Sequence, residues 1–529
     1  MTAAAAYDPK SLVEYGYRRY IITITVVLCT LLEILDTTIV NVATTTLMGN
    51  LGATVSEISW VIAAYAIANV IIVPMSGWLS QQFGRKMYFA GSVALFTLSS
   101  LMCGLSTNIW TLVTWRFIQG IGGGALFATS QTILKEIYPP EKMGMAMAMF
   151  GMGVILGPTL GPTIGGYIID HYSWPYIFYV NLPVGILATF LTLNYIRNNP
   201  YEKRQKGDID WLGVILLIIG IGSLQLVLEQ GERNDWFESN YILSFALVSV
   251  VGVVGFIIRE LTAENPIVDL SILSKSNVSI GTFMNFLLGF ILFGSVFIYP
   301  IYLQRYLGFT AQQTGMLFIP GALLTGFLMP MIGTMLSKGV PPKYMIMAGF
   351  FINGIFSFWS SSIFTTNTGP EAFLIPLLVR GLGMALLFVP LSNLTLGGLH
   401  GRDVGQAAGL SNMIRQIGGS LSVAIIGAFS ERLSVQHRAD LLLKVTPDNP
   451  LLQQRLSGYA AGLAHTSADS TLIHQQGYAL LDFGINKQAA ILSYIDIFQY
   501  MTLIIVVCVP LVLLARSYKV SPETMGEAH

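Results

Sequence analysis

Three side chains define the chemistry this sequence could perform. Glu33 and Asp36 stand inside a long apolar run that begins near Ile21, and Arg116 stands inside another that begins near Ile109. Ionisable groups withdrawn from water cost free energy, and inside a membrane they mark a functional position by default. At a helical rise of about 1.5 Å per residue, Glu33 falls close to mid-membrane and Asp36 lies roughly 20 Å in from the first edge. The Arg116 run is read in the opposite direction, so Arg116, a few residues below its outer end, reaches a depth similar to that of Asp36. Glu33, Asp36, Thr37 and Asn41 fall within an arc of about 140° on one helix face, which is expected to turn toward an interior cavity and not toward lipid. Burial favours the neutral form of a carboxyl group and a nearby guanidinium favours the charged form, so such a site can load and release a proton. A static structural ion pair is the alternative reading of the same residues.

Groups placed in this way need membrane helices to hold them, and the composition supplies these. The chain of 529 residues is 53% hydrophobic and only 11% charged, with a mean hydropathy of +0.64, far from soluble norms. Apolar runs of about 20 residues, each long enough to cross a hydrocarbon core of roughly 30 Å as a helix, recur along its whole length. Fourteen are expected, at 20–46, 57–80, 87–106, 109–134, 143–169, 174–196, 210–229, 240–260, 277–303, 312–336, 343–363, 371–397, 404–430 and 493–516. Lys plus Arg and Asp plus Glu balance at 28 each, so no basic excess points to a nucleic-acid partner. Cys29, Cys103 and Cys508 lie far apart in apolar runs and read as packing residues, and His437, His465 and His474 are too dispersed for a metal site.

Basic residues concentrate in cytoplasmic loops, which sets the orientation. With the N-terminus inside, that set comprises Lys10, Arg18, Arg19, Arg85, Lys86, Lys135, Lys142, Arg197, Lys203, Arg204, Lys206, Arg259, Lys275, Lys338, Lys343, Arg402, Arg516 and Lys519. The short outer loops keep only Arg233 and Arg305, so both termini are expected to be cytoplasmic. The first apolar run carries Glu33 and Asp36 and continues past signal-peptide length, which argues against a cleaved leader. Pro74-Met75-Ser76-Gly77, followed by Lys86 and Gly91, recurs as Pro330-Met331-Ile332-Gly333, followed by Lys343 and Gly349. This repeat maps spans 1 to 6 onto spans 9 to 14 and leaves spans 7 and 8 as an inserted pair. The expected organisation is a six-helix bundle over 1–196, a linker with the inserted pair over 197–275, and a second six-helix bundle over 276–529 that includes an extracytoplasmic segment at about 431–492.

Several segments together resemble the signatures of the major facilitator superfamily, and within it the fourteen-span drug:proton antiporters of the EmrB/QacA type, closest to EmrB-like proteins. Leu35-Asp36-Thr37-Thr38-Ile39-Val40-Asn41-Val42-Ala43 resembles the first-span motif, Gly77 through Lys86 the loop between spans 2 and 3, and Arg116-Phe117-Ile118-Gln119-Gly120 the fourth-span motif. Gly153 through Gly166 resembles the antiporter motif of span 5, and Trp174 through Gly185 reads like the family's sixth span. Two departures stand out: Gln81 replaces the usual Asp of the loop after span 2, and Thr44-Thr45-Thr46 follows Ala43 where Leu-Pro is common.

The resemblance implies an all-α integral membrane protein with the major facilitator fold. Its implied activity is proton-coupled multidrug efflux of amphipathic or cationic small molecules by alternating access in a bacterial inner membrane, without a cofactor. A proton entering down a membrane potential gains about 2.3 kcal/mol per 100 mV, which can bias such a cycle. The implied roles are proton coupling for Asp36, Glu33 and Arg116, and gating for Gly77, Gly84, Arg85 and Lys86. Gly153, Gly157, Pro158, Gly161, Pro162, Gly165 and Gly166 form the antiporter motif, a seam or hinge whose alternative is ordinary helix packing. Substrate contact is expected from Asn41, Gln119 and the aromatic stripe Phe286, Phe290, Phe293 and Phe297, which could equally face lipid or a neighbouring helix. Arg380 and Arg415 read as intramembrane charges bound to backbone carbonyls or lipid phosphates, not to substrate. The outer segment suggests docking to a periplasmic adaptor leading to an outer-membrane channel, with a solvated cap as the alternative. A narrower exporter of a lipid, siderophore or metabolite is a second reading, and a channel or receptor a third. No P-loop, H-E-x-x-H or G-x-S-x-G motif offers enzyme chemistry.

Overall fold

In hydrocarbon every backbone N–H and C=O must find its partner within the segment, so apolar runs of this length fold as helices. The computed structural model describes residues 12–139, 142–198, 209–399, 401–446, 448–463 and 470–514. Lys10, Lys203, Arg204, Lys206, Arg516, Lys519 and His465 therefore lie outside the described residues. The helices are α1 (Gly16–Leu51), α2 (Val55–Phe83), α3 (Arg85–Gly104), α4 (Ile109–Ile137), α5 (Met143–His171), α6 (Tyr176–Tyr195), α7 (Trp211–Gln230) and α8 (Asn240–Thr262). They continue as α9 (Ser276–Ile301), α10 (Ala311–Ser337), α11 (Pro342–Ile363), α12 (Leu374–Leu396), α13 (Arg402–Leu442), α14 (Pro450–Leu463) and α15 (Ser470–Cys508). No strand occurs among the described residues, and thirteen of the helices are long and apolar enough to cross a membrane. The expected fourth span, α4, is a helix of 29 residues whose Arg116, Gln119 and glycines dilute its apolar character. Its largely buried surface faces protein, which removes the need for a uniformly greasy one.

Two of the expected boundaries move. The spans placed at 404–430 and 493–516 belong to helices that run to Leu442 and start at Ser470, because hydropathy marks the lipid slab and not the end of the helix. The 431–492 segment is thus a helical hairpin grown from two spans and joined through α14. His437 Nε2 meets Asp496 at 2.8 Å and Arg438 meets Asp482 at 2.7 Å across it.

The internal repeat reappears in the helix starts. Thr54 and Glu57 form a capping box ahead of α2, and Thr310 and Gln313 form one ahead of α10. Gly77 of α2 and Gly333 of α10, the matched glycines of the repeat, each sit where one half meets the other. A Cβ on Gly77 would stand 2.9 Å from the Gly405 carbonyl carbon of α13, and one on Gly333 would stand 2.6 Å from the Gly144 carbonyl carbon of α5. A third contact closes the same end, where the Lys135 ammonium of α4 donates to the carbonyls of Leu396, the last residue of α12, and Leu399 just beyond it. This is the end rich in Lys and Arg, called the basic end below.

The inserted helices α7 and α8 touch backbone to backbone, a Cβ on Gly220 reaching 2.6 Å from the Val253 nitrogen. Arg259 clamps Asp210 at 2.9 Å at their shared end. On its other side α7 bonds both halves: Gln230 donates to Ser59 of α2 at 3.1 Å, and Gln225 donates to Ser420 of α13 at 2.7 Å.

Candidate functional site

Five helices converge on Asp36. Its carboxylate is fully buried and meets the equally buried Arg116, whose Nη1 donates to Oδ2 at 2.5 Å. Gln119 Nε2 and Asn181 Nδ2 both donate to Oδ1 at 2.9 Å. Arg116 also donates through Nη1 to Gln119 Oε1 at 2.8 Å and through Nε to the Val61 carbonyl at 3.2 Å, and its guanidinium lies 4.2 Å from the Tyr65 ring centre. Ser100 accepts from Gln119 at 3.2 Å and from Asn181 at 2.9 Å, and donates to the Phe178 carbonyl at 3.0 Å. The charge pair expected between Asp36 and Arg116 is what the fold forms. The sequence reading did not assign Ser100, Tyr65 and Asn181 to this cluster, although an Asn within a membrane span is itself a signal.

Glu33, one turn away on α1, is also buried, yet no carboxylate oxygen of it meets a cation within ion-pair distance among the described residues. Oε1 accepts from Asn69 Nδ2 at 3.2 Å, whose Oδ1 accepts from Gln416 Nε2 at 2.6 Å, so a hydrogen-bonded chain runs from α1 through α2 to α13 in the other half. Oε2 has no hydrogen-bond partner among the described residues. Arg415 stacks its guanidinium 4.1 Å from the Phe127 ring centre and 5.4 Å from that of Phe388, so aromatic faces hold this charge where sequence reasoning expected carbonyls or lipid phosphates.

The span-5 motif divides by face. Gly153, Gly157, Gly161 and Gly165 recur every fourth residue and lie on α1 beside Val27, Ile34, Thr38 and Ile39. A Cβ on Gly157 would stand 2.8 Å from Ile34 Cβ, and one on Gly161 would stand 2.8 Å from Thr38 Cβ. This seam holds the helix that carries Glu33 and Asp36, with Gly166 buried beside it. Pro158 and Pro162 turn the other way and line a cavity between α5, α9, α10 and α12. Its walls include Leu292, Val296, Pro300, Phe318, Thr314, Met384 and Arg380.

In the loop between α2 and α3, Gly84 takes the left-handed φ of 81° that favours glycine. Arg85 pairs with Glu136 at the end of α4, and the Lys86 amide donates to Asn198 Oδ1 at 3.1 Å. Gln81 lies with Gly77, Arg402 and Gly405 around a small crevice at the basic end.

Of the residues expected at substrate, Gln119 is engaged in the Asp36 cluster and Asn41 is exposed outside it. The phenylalanine stripe packs on α13: a Cβ on Gly419 would stand 2.5 Å from the Phe293 ring, and one on Gly418 3.1 Å from that of Phe286. Phe290 is buried and Phe297 half-buried in the same core, while the cavity wall takes the neighbouring residues Leu292 and Val296 of α9.

Comparison with known proteins agrees with this all-helical membrane fold. The family model described as Major Facilitator Superfamily matches residues 26–423. The chain is 35% identical to the multidrug export protein EmrB of Escherichia coli (strain K12), covering 95% of this chain and 96% of that protein. It is 31% identical to the fatty acid resistance protein FarB of Neisseria gonorrhoeae, covering 94% of this chain and 96% of that protein. The crystal structure of the human organic anion transporter MFSD10 (TETRAN) shares the fold, with a TM-score of 0.58 at 13% identity over 92% of this chain and 99% of that one.

Proposed function

From the premise that the chain belongs to the major facilitator superfamily and to its EmrB-like multidrug export proteins, we propose that it is a secondary transporter exporting amphipathic small molecules in exchange for protons. It is not an enzyme; the proton gradient drives it and no cofactor takes part. The observation that carries the mechanism is the pair of buried carboxylates on α1 with unlike surroundings. Asp36 is held by an arginine and two amides, whereas Glu33 keeps one oxygen without a hydrogen-bond partner among the described residues and is linked through Asn69 and Gln416 to the opposite half. Loading and unloading a proton at such a position alters the hydrogen bonds that join the halves, which is the coupling alternating access needs.

The membrane is the bacterial cytoplasmic one, with both termini and the basic end on the cytoplasmic side. In that orientation Gly77–Gly405, Gly333–Gly144 and Lys135 with the Leu396 and Leu399 carbonyls close the cytoplasmic face, and the α13–α15 hairpin extends outward. Exposed Val435, Leu443, Leu451 and Phe483 on that hairpin suit a periplasmic adaptor that leads to an outer-membrane channel. A narrower cargo is the second reading, favoured by the similarity to a fatty acid resistance protein.

The test is drug-induced proton release, with dye efflux against an imposed pH gradient, in proteoliposomes of wild type, Asp36→Asn and Glu33→Gln. Gradient-driven efflux in the wild type, lost in either variant with binding retained, assigns that carboxylate to coupling. Wild-type efflux that ignores the gradient sinks the antiport mechanism.

A further inference from the structure

Arg380 is an intramembrane cation to which the mechanism above gives no task. It lies on α12, about two turns from the helix start at Leu374, in the wall of the cavity between the halves. The cavity's other walls are apolar or uncharged: Pro158 and Pro162 from α5, Leu292 and Val296 from α9, and Phe318 from α10. Thr325, also at the wall, spends its hydroxyl on the Gly321 and Gly381 carbonyls at 2.8 Å each.

The guanidinium is held by one edge. Nε donates to Ser295 Oγ at 3.1 Å, and the charge stands 5.8 Å from the Phe318 ring centre. Ser295 is itself fixed, donating to the Leu292 carbonyl at 3.0 Å. Among the described residues no Asp or Glu forms an ion pair with Arg380, and its terminal nitrogens donate to no described residue. Arg116 and Arg415, by contrast, are occupied: Arg116 by Asp36, and Arg415 by two aromatic faces. An arginine anchored through Nε presents its two terminal N–H₂ groups as a fork matched to a carboxylate or sulfonate, and in an apolar wall that is the charge it requires.

We propose that this cavity is a binding site for amphipathic organic anions, the anionic head on the Arg380 fork and the apolar body against Pro158, Leu292, Val296 and Phe318. This deepens the export reading and rests on it for the claim that the bound anion is cargo. It also moves the expected ligand charge from cationic to anionic, because the phenylalanine stripe that suggested cations is packed against α13.

The test uses one tail with three heads: decanoate, decyltrimethylammonium and decanol. Binding is measured on the full chain in nanodiscs, with uptake by empty nanodiscs subtracted, for wild type, Arg380→Gln and Arg380→Lys. The expected result is decanoate at least about tenfold tighter than the cation, a loss of about tenfold or more for decanoate alone in Arg380→Gln, and partial recovery in Arg380→Lys, a point charge without the fork. Met384→Glu, one turn along α12 and also in the wall, supplies an internal carboxylate. It is expected to abolish decanoate binding while Arg380 stays in place, which covers the case of an unstable Arg380 variant.

Equal binding of the three heads, or decanoate binding indifferent to both Arg380→Gln and Met384→Glu, overturns the site. So does displacement of decanoate by millimolar inorganic phosphate, or by raising the anionic lipid fraction of the nanodisc, since either would make the occupant a phosphate group and not an amphipathic anion. Gradient-driven dye efflux in proteoliposomes separates the two readings. Efflux with no head preference leaves export standing and removes this inference, whereas Arg380-dependent decanoate binding without gradient-driven flux of any substrate keeps the site and removes export.

Discussion

Replacing Asp36 by Asn tests the buried cluster most severely. Three donors, Arg116 Nη1, Gln119 Nε2 and Asn181 Nδ2, converge on the two carboxylate oxygens. An Asn side chain offers one accepting oxygen and one N–H₂ group that cannot accept. If the amide nitrogen faces Arg116, the guanidinium loses the anion it is paired with among the described residues; if it faces Gln119 and Asn181, donors oppose donors. Both arrangements leave a charge at 1% exposure without a counter-ion, a change that costs about 3–5 kcal/mol. At about 1.4 kcal/mol per power of ten, the folded-to-unfolded ratio falls roughly a hundred- to several-thousand-fold.

The assay is equilibrium unfolding in mixed detergent micelles of wild type, Asp36→Asn, Arg116→Gln and the double variant. Because Arg116→Gln removes the orphaned charge, the double variant is expected to be less destabilised than the two single losses added together, by about 2 kcal/mol. It should nevertheless show no gradient-driven efflux. Additive losses, or a stable Asp36→Asn protein, would refute the reasoning that the carboxylate balances a buried charge.

Three further outcomes follow from the same geometry. Gly161→Ala places a Cβ 2.8 Å from Thr38 Cβ and 3.2 Å from the Ile39 nitrogen, so α1 and α5 must part; a stability loss of about 1–3 kcal/mol in micelle unfolding is expected, and Gly458→Ala on α14, with open space around it, should show none. Gln416→Leu cuts the chain from Glu33 to α13 while leaving the Asn69 bond; gradient-driven efflux should slow severalfold with stability changed by about 1 kcal/mol or less. Glu232, an exposed residue in the loop after α7 whose carboxylate packs against Gly427 of α13, is pushed up from the ordinary glutamate value of 4.5 by the lost hydration there and then by the Glu431 carboxylate. Its folded form therefore holds the proton more tightly than the unfolded one, so wild-type stability should rise as pH falls through the window just above 4.5. Thermal unfolding of Glu232→Gln against pH should lose that rise, and an unchanged profile would contradict the assignment.

The sequence reading succeeded where one helix at a time decides the outcome. Counting 1.5 Å per residue along two antiparallel spans was enough to bring Asp36 and Arg116 to one depth, because straight membrane helices convert residue number into depth. The repeat was readable because both copies keep the Pro-Met-x-Gly pattern, and the threonine of each capping box lies twenty residues ahead of its proline. Rotation about the helix axis was another matter. The stripe of Phe286, Phe290, Phe293 and Phe297 fixes a face but not the neighbour that covers it, and here Gly418 and Gly419 of α13 receive it. The surroundings of Arg380 were illegible for the same reason, since whether an intramembrane arginine meets a carbonyl, a phosphate or a cavity depends on the helices beside it. The closing glycine pairs join residues about two hundred positions apart or more, and nothing local announces them.

The position of α7 bears on how the molecule can move. In a bundle of two equivalent halves, one could swing against the other about a central axis with mirror-like ease. Here a strap is tied to both, by Gln230 to Ser59 on one side and by Gln225 to Ser420 on the other. Any opening of the α2–α13 flank must undo one of these knots, while the α5–α10 flank is free of such a tie among the described residues. The two flanks are therefore built differently: parting one means breaking polar bonds to a third body, and parting the other means separating two helices that pack directly on each other.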